Sequence, residues 1–250
     1  MNPERTLRTA IAAATLLATG HAMAAHPFLT EDPGTLGTGK MQVELGLAAG
    51  SADPAVGGNA ALFSPQLSIG VTPTLDLIGQ GVWTRQTQSG GPTLYGGGDV
   101  LADFKWRFFE NDDYALAVRA GLDLPAGDPD IGFGTGGVGA HVLAIVGVTR
   151  DTWAFYGNAG YARAHGSGTR NNLGVFSAAF TYTDLAPWQA FVEVAAYSNP
   201  DPAQRQWPAI ARTGLIYTVN PSLDLDIGFQ ARLNPSAPRA VLLAGATIRW

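Results

Sequence analysis

Apolar and polar residues alternate along most of this chain, and the alternation is cleanest toward its C-terminal end. Leu223, Leu225, Ile227, Phe229, Ala231 and Leu233 fall on one face, and Asp224, Asp226, Gly228, Gln230 and Arg232 on the other. After a turn at Asn234-Pro235-Ser236-Ala237-Pro238 the period resumes, with Leu242, Ala244, Ala246, Ile248 and Trp250 against Leu243, Gly245, Thr247 and Arg249. A period of two marks a β-strand, because successive side chains point to opposite sides of the pleat. At about 3.3 Å per residue, such segments cross a bilayer's hydrocarbon core when tilted. In a soluble sandwich a long exposed strand ending on an aromatic would be an aggregation hazard. As the closing strand of a transmembrane barrel it is paired on both edges, with Trp250 at the interface.

The same period predicts about ten further strands upstream, over residues 40–49, 62–71, 75–84, 99–109, 114–124, 138–148, 152–163, 173–183, 188–198 and 208–219. The third begins cleanly at Asp76 but loses phase at Ile78, and a Gln/Ser/Gly loop is expected over residues 85–98. Connections alternate between long Gly/Pro/polar stretches and tight turns such as Thr72-Pro73-Thr74 and Glu110-Asn111-Asp112-Asp113. Long extracellular loops and short periplasmic turns give a transmembrane barrel this asymmetry, and a sandwich has no reason for it. Trp83, Trp106, Phe108, Tyr114, Trp153, Trp188, Tyr217 and Trp250 sit near strand ends, where interface girdles belong. The expected fold is therefore all-β: a closed antiparallel transmembrane barrel of about 12 strands, since no edge is left unpaired in lipid. Closure should bring the first strand near Glu44 against the last near Gly245.

Composition narrows the compartment. Arg5 and Arg8 precede an alanine-rich apolar run, and Ala22-Met23-Ala24 offers a small-x-small cleavage pattern. Residues 1–24 therefore read as a secretory signal peptide cleaved after Ala24 or one residue later. Residues 25–39 read as an extended periplasmic lead-in, and 40–250 as the barrel. No other apolar run reaches the length of a helical span, so an exported chain of this kind is either periplasmic or an outer-membrane barrel. Composition alone does not choose, and the strand and loop pattern makes the outer membrane of a Gram-negative cell the expected location. Only 14% of residues are charged and the net charge is −5, which argues against nucleic acid as a partner.

The inward-facing charges are the candidate pore lining: Glu44, Asp76, Asp99, Asp103, Lys105, Arg107, Arg119, Asp123, His141, Glu193, Arg212, Asp224, Asp226, Arg232 and Arg249. Mixed signs in a confined lumen should pair, because isolated buried charges are costly. A structural network and a permeation path are both compatible with this set. An enzymatic alternative needs His141 as a base, since His26 lies in the lead-in and His165 in a loop. The nearest strand serine, Ser177, lies two strands away, too far for a nucleophile–base pair. No His/Cys/Glu cluster has zinc spacing. Asp128 and Asp130 are a weak candidate for a divalent ion, and Gly132-Phe133-Gly134-Thr135-Gly136-Gly137 opens no helix and reads as a flexible loop. No cofactor is expected.

Several stretches resemble an outer-membrane barrel family named for the meta-pathway of phenol degradation. These are His26-Pro27-Phe28-Leu29-Thr30-Glu31-Asp32-Pro33, Gly39-Lys40-Met41-Gln42-Val43-Glu44, Asp103-Phe104-Lys105-Trp106-Arg107-Phe108, Leu223-Asp224-Leu225-Asp226-Ile227-Gly228 and Ile248-Arg249-Trp250. The resemblance spans essentially the whole mature chain. It implies a porin-like channel or transporter for small organic, including aromatic, solutes, and it supplies no catalytic residues. The partners expected are outer-membrane lipids, small organic solutes, and the barrel-assembly machinery acting on the strand that ends in Trp250. A lipid-modifying enzyme and a structural barrel without an open pore are the alternatives.

Overall fold

The computed structural model describes residues 26–54, 57–166 and 169–250, so the expected signal peptide lies outside the described residues. The chain forms β1 (Met41–Ser51), β2 (Asn59–Thr72), β3 (Leu75–Gln80), β4 (Trp83–Thr87), β5 (Thr93–Gly97), β6 (Val100–Glu110) and β7 (Tyr114–Leu124). It continues with β8 (Gly139–Arg150), β9 (Trp153–Arg163), β10 (Asn172–Leu185), β11 (Trp188–Tyr197), β12 (Ala209–Asn220), β13 (Leu223–Arg232) and β14 (Ala240–Arg249). All neighbours are antiparallel, and β1 closes the sheet by pairing with both β2 and β14. The closing register places Glu44 opposite Thr247 and Gly46 opposite Gly245, two residues from the expected pairing.

These fourteen strands build a closed barrel of twelve wall positions with two extra segments. β3 and β4 pair with successive stretches of β2, and β5 leads into β6. The interruption at residues 81–82 is bridged by Gly81 N donating to Pro65 O at 3.0 Å and Gly98 N donating to Val82 O at 2.9 Å. The phase is not lost at Ile78, which is an apolar side chain facing inward. Asp76, Ile78, Gln80, Thr84 and Gln86 are all buried, while Leu77, Trp83 and Arg85 are exposed.

The loop expected over residues 85–98 is instead largely the β4–β5 hairpin. Thr87 and Thr93 share a hydrogen bond of 3.1 Å across it, and Arg85 lies over the Tyr95 ring at 5.8 Å. Polar residues on both faces hid this pair, because beyond the apolar wall a strand carries no apolar stripe. The glycine-rich loop of residues 125–138 is also ordered. The Asp99 carboxylate accepts Gly127 N at 3.0 Å, Thr135 N at 2.8 Å and the Thr135 hydroxyl at 2.6 Å. Phe133 is buried there against Gly96.

The outer wall is apolar, with Phe104, Val142, Val192, Ile227 and Leu242 exposed. Aromatic pairs gather at the end with the short turns: Trp106–Phe108 at 5.6 Å, Trp153–Phe180 at 5.9 Å and Trp188–Tyr217 at 4.6 Å between centroids. Phe176 stacks on Trp207 at 5.9 Å toward the loop end. Amphipathic rings in such belts satisfy an apolar and a wet neighbour at once.

Candidate functional site

The lumen is occupied by the chain's own N-terminal segment. Residues 26–39, expected as part of a periplasmic lead-in, arch inside the barrel from His26 beside Gly46 and Gly245, past Leu29 near Ala237, and descend to the Pro73 turn before entering β1. Only at its end does the segment meet a strand through backbone, where Gly39 N donates to Gly70 O of β2 at 2.8 Å. Between residues 27 and 36 its backbone groups are met by side chains of the wall. Glu193 on β11 accepts Leu29 N at 2.8 Å, Thr30 N at 2.6 Å and the Thr30 hydroxyl at 2.6 Å. Asn158 on β9 clasps Glu31, accepting its N–H at 2.7 Å and donating to its carbonyl at 3.0 Å. Asp76 on β3 accepts Leu36 N at 3.1 Å.

The segment's side chains add ionic contacts. Glu31, buried, pairs with Arg119 of β7 through one oxygen and with Lys105 of β6 through the other, the latter at 3.3 Å. His26 Nδ1 lies 2.7 Å from Asp226 Oδ1, and the Pro27 carbonyl accepts Arg212 Nη1 at 3.1 Å. Phe28 packs on Phe191 at 4.5 Å between centroids. Two wall glycines make room for this approach. A Cβ at either Gly46 or Gly245 would collide with the His26 ring.

The sequence-predicted lining residues divide into distinct groups. Asp103, Arg119, Asp123 and His141 form one buried network. Arg119 Nε donates to Asp103 at 2.7 Å, and the two His141 ring nitrogens lie 3.0 Å from Asp103 and 3.2 Å from Asp123. Glu44 accepts Gln42 at 3.0 Å and a further bond from Gln66. Arg212 donates to Gln230 at 2.9 Å and lies 3.9 Å from Glu193. Arg249 meets Asp224 at 2.6 Å near the turn end. Three residues stand apart. Asp99 fixes a loop, Arg107 pairs with Glu110 at 3.1 Å beside the Pro73 turn, and Arg232 is exposed at the loop end of β13.

Below the arch, toward the turns, lies a cavity of about 430 Å³. It is lined by charged groups including Asp32, Glu44 and Arg249 and by the apolar faces of Phe28, Ile78 and Trp153. On the other side Leu29 packs against Ala195, Ile210 and Ala237, so the β13–β14 loop reaches the plug from the loop end. Ser177 is buried on β10, with β9 between it and the strand of His141. Among the described residues no group of three or more His, Cys, Asp or Glu could hold a metal ion. Asp128 and Asp130 form a local turn, with Asp130 N donating to Asp128 at 2.9 Å.

Sequence reasoning missed the segment's own contribution, Glu31 above all, together with Asn158, Gln66 and Gln80. An irregular segment has no periodicity to read. The available signal was a pair of acids, Glu31-Asp32, in a chain otherwise poor in charge.

The model of the family described as "Putative MetA-pathway of phenol degradation" matches residues 24–250. Among solved structures, an outer membrane channel from Pseudomonas putida F1 superposes with a TM-score of 0.72 at 13% identity, covering 88% of this chain and 98% of that one. The NanC porin gives 0.61 at 11% identity, and the KdgM porin in complex with disordered oligogalacturonate gives 0.58 at 8%. Each covers 83% of this chain and 98% of its own. No curated protein matches by sequence.

Proposed function

The chain belongs to that family, and from this premise we propose that it is an outer-membrane channel for small organic solutes, aromatic ones included, which conducts when residues 26–39 leave the lumen. The observation that carries this reading is that the lumen is filled by a segment held through side chains, inside a wall held through a continuous backbone ladder. Such a clasp opens without disturbing the wall. The channel and porin descriptions of structurally similar proteins fit the same role.

In this reading residues 1–24 direct export and are removed, leaving His26 close to a free end. Outer-membrane lipids contact the apolar wall, and the assembly machinery recognises the strand ending in Trp250. The mixed charges of the lumen set selectivity once the segment withdraws. The enzymatic alternative is disfavoured because both nitrogens of His141 face carboxylates and neither reaches Ser177.

Single-channel recording in a planar bilayer, with and without small aromatic solutes, tests the proposal. The expected result is intermittent opening that becomes more frequent in Glu193→Gln, where the clasp on Leu29 and Thr30 is weakened. Silence in both proteins would favour a structural barrel. A lipid-hydrolysing activity that His141→Ala abolishes, without any conductance, would favour the enzyme.

A further inference from the structure

The Glu31 carboxylate is bound in the manner of a ligand. Its two oxygens take one cation each, Arg119 and Lys105, and its backbone is held separately by the Asn158 amide. The guanidinium of Arg119 is fully buried and fixed in place before any solute arrives. Nε is bonded to Asp103, and Nη2 lies 3.4 Å from the amide oxygens of both Gln66 and Gln80. Pre-oriented donors of this kind lose little freedom on binding, and hydrogen bonds from cations to a carboxylate are about twice as strong as neutral ones.

We propose that Arg119 and Lys105 form a carboxylate-binding subsite in the lumen, which Glu31 fills while the segment is in place and which an organic monocarboxylate fills when it is not. The inference rests on the channel reading and names its solute class. Arg119 is bonded to the wall carboxylate Asp103, and Arg119 and Lys105 together hold the single carboxylate of Glu31, so the place that opens between them is that of one carboxylate. Glu44 and Asp76 nearby oppose a second. The adjoining cavity of about 430 Å³ presents the wall residues Ile78, Trp153 and Tyr156, which remain when the segment withdraws and suit an organic body attached to that carboxylate. The solute then competes with Glu31 for the same two cations, and its arrival favours withdrawal of the segment by mass action.

The test compares benzoate with benzamide, an uncharged molecule of nearly the same shape, at constant ionic strength. In detergent, calorimetry on the Glu31→Ala protein should show benzoate binding, and benzamide binding weaker by about tenfold or more. The full wild-type chain should bind benzoate more weakly than Glu31→Ala does, because Glu31 competes. Lys105→Gln in the Glu31→Ala background should abolish the preference for benzoate. This variant leaves the Arg119–Asp103 pair intact, so the test does not depend on an Arg119 variant folding. In the bilayer, benzoate should raise the opening frequency of the wild type, and benzamide should not. Equal binding of benzoate and benzamide to Glu31→Ala, or a preference that survives Lys105→Gln, would overturn the subsite. A silent bilayer alongside selective benzoate binding would overturn the channel reading and leave the subsite standing.

Discussion

β1 and the segment immediately before it are continuous in sequence, yet they are held in opposite ways. β1 is hydrogen-bonded along both edges, with Gln42 to Gly50 opposite β14 and Met41 to Ser51 opposite β2. Between residues 26 and 36 the backbone is caught instead by Glu193, Asn158, Asp76 and Arg212, four side chains from four wall strands. A ladder in an apolar medium is all-or-none, since each broken bond leaves two unsatisfied groups. A side-chain clasp is lost piecemeal, and the released backbone finds water in the lumen. The difference places the continuous backbone ladder in the wall and, in the proposed function, the movement in the segment.

The largest expected effect comes where the two regions meet. Arg119→Met would leave Glu31 and Asp103 buried without their shared cation and should destabilise folding by about 3–5 kcal/mol in denaturant titration. A loss under about 1 kcal/mol would show that the pairing matters little to either region. Next comes the wall's outer face, where Ile227→Arg should cost roughly 2–4 kcal/mol near mid-membrane. The inward Gln230→Ala, which removes one bond to Arg212, should cost only about 1 kcal/mol. Similar costs at both positions would refute the assignment of faces.

Glu193→Gln should have a smaller and local effect. It weakens charge-assisted bonds worth about 1.5–3 kcal/mol, so the amides of Leu29 and Thr30 should lose exchange protection while those of β11 keep theirs. Equal loss in both would mean that segment and wall open together. The smallest effect is expected at Arg107→Ala. Its partner Glu110 is exposed, and such surface pairs contribute about 0–1 kcal/mol.

The wall was legible in the sequence because a barrel imposes period two on every strand, and Leu223–Arg232 shows it without interruption. The β4–β5 hairpin was not legible, because Thr84, Gln86 and Arg85 are polar on both faces and mimic a loop. Facing direction was readable for Arg119 and His141, but their partners were not. Which inward charges meet depends on strand tilt and on a segment that follows no repeat. Glu31 comes to rest beside Arg119, 88 residues away in sequence, and neither propensity nor spacing records that distance.

In the proposed function passage requires the segment to move, and a reversible tether tests this. A Cβ at Gly46 would lie 3.1 Å from His26 Cγ, which puts a disulfide between His26→Cys and Gly46→Cys within geometric reach. The chain has no native cysteine, so no other thiol competes. The segment would then be fixed at one end by the disulfide and at the other by β1. Single-channel recording of this double variant should show few openings when oxidised and wild-type openings after reduction. The same conductance before and after reduction, with the disulfide verified by mass, would contradict the account.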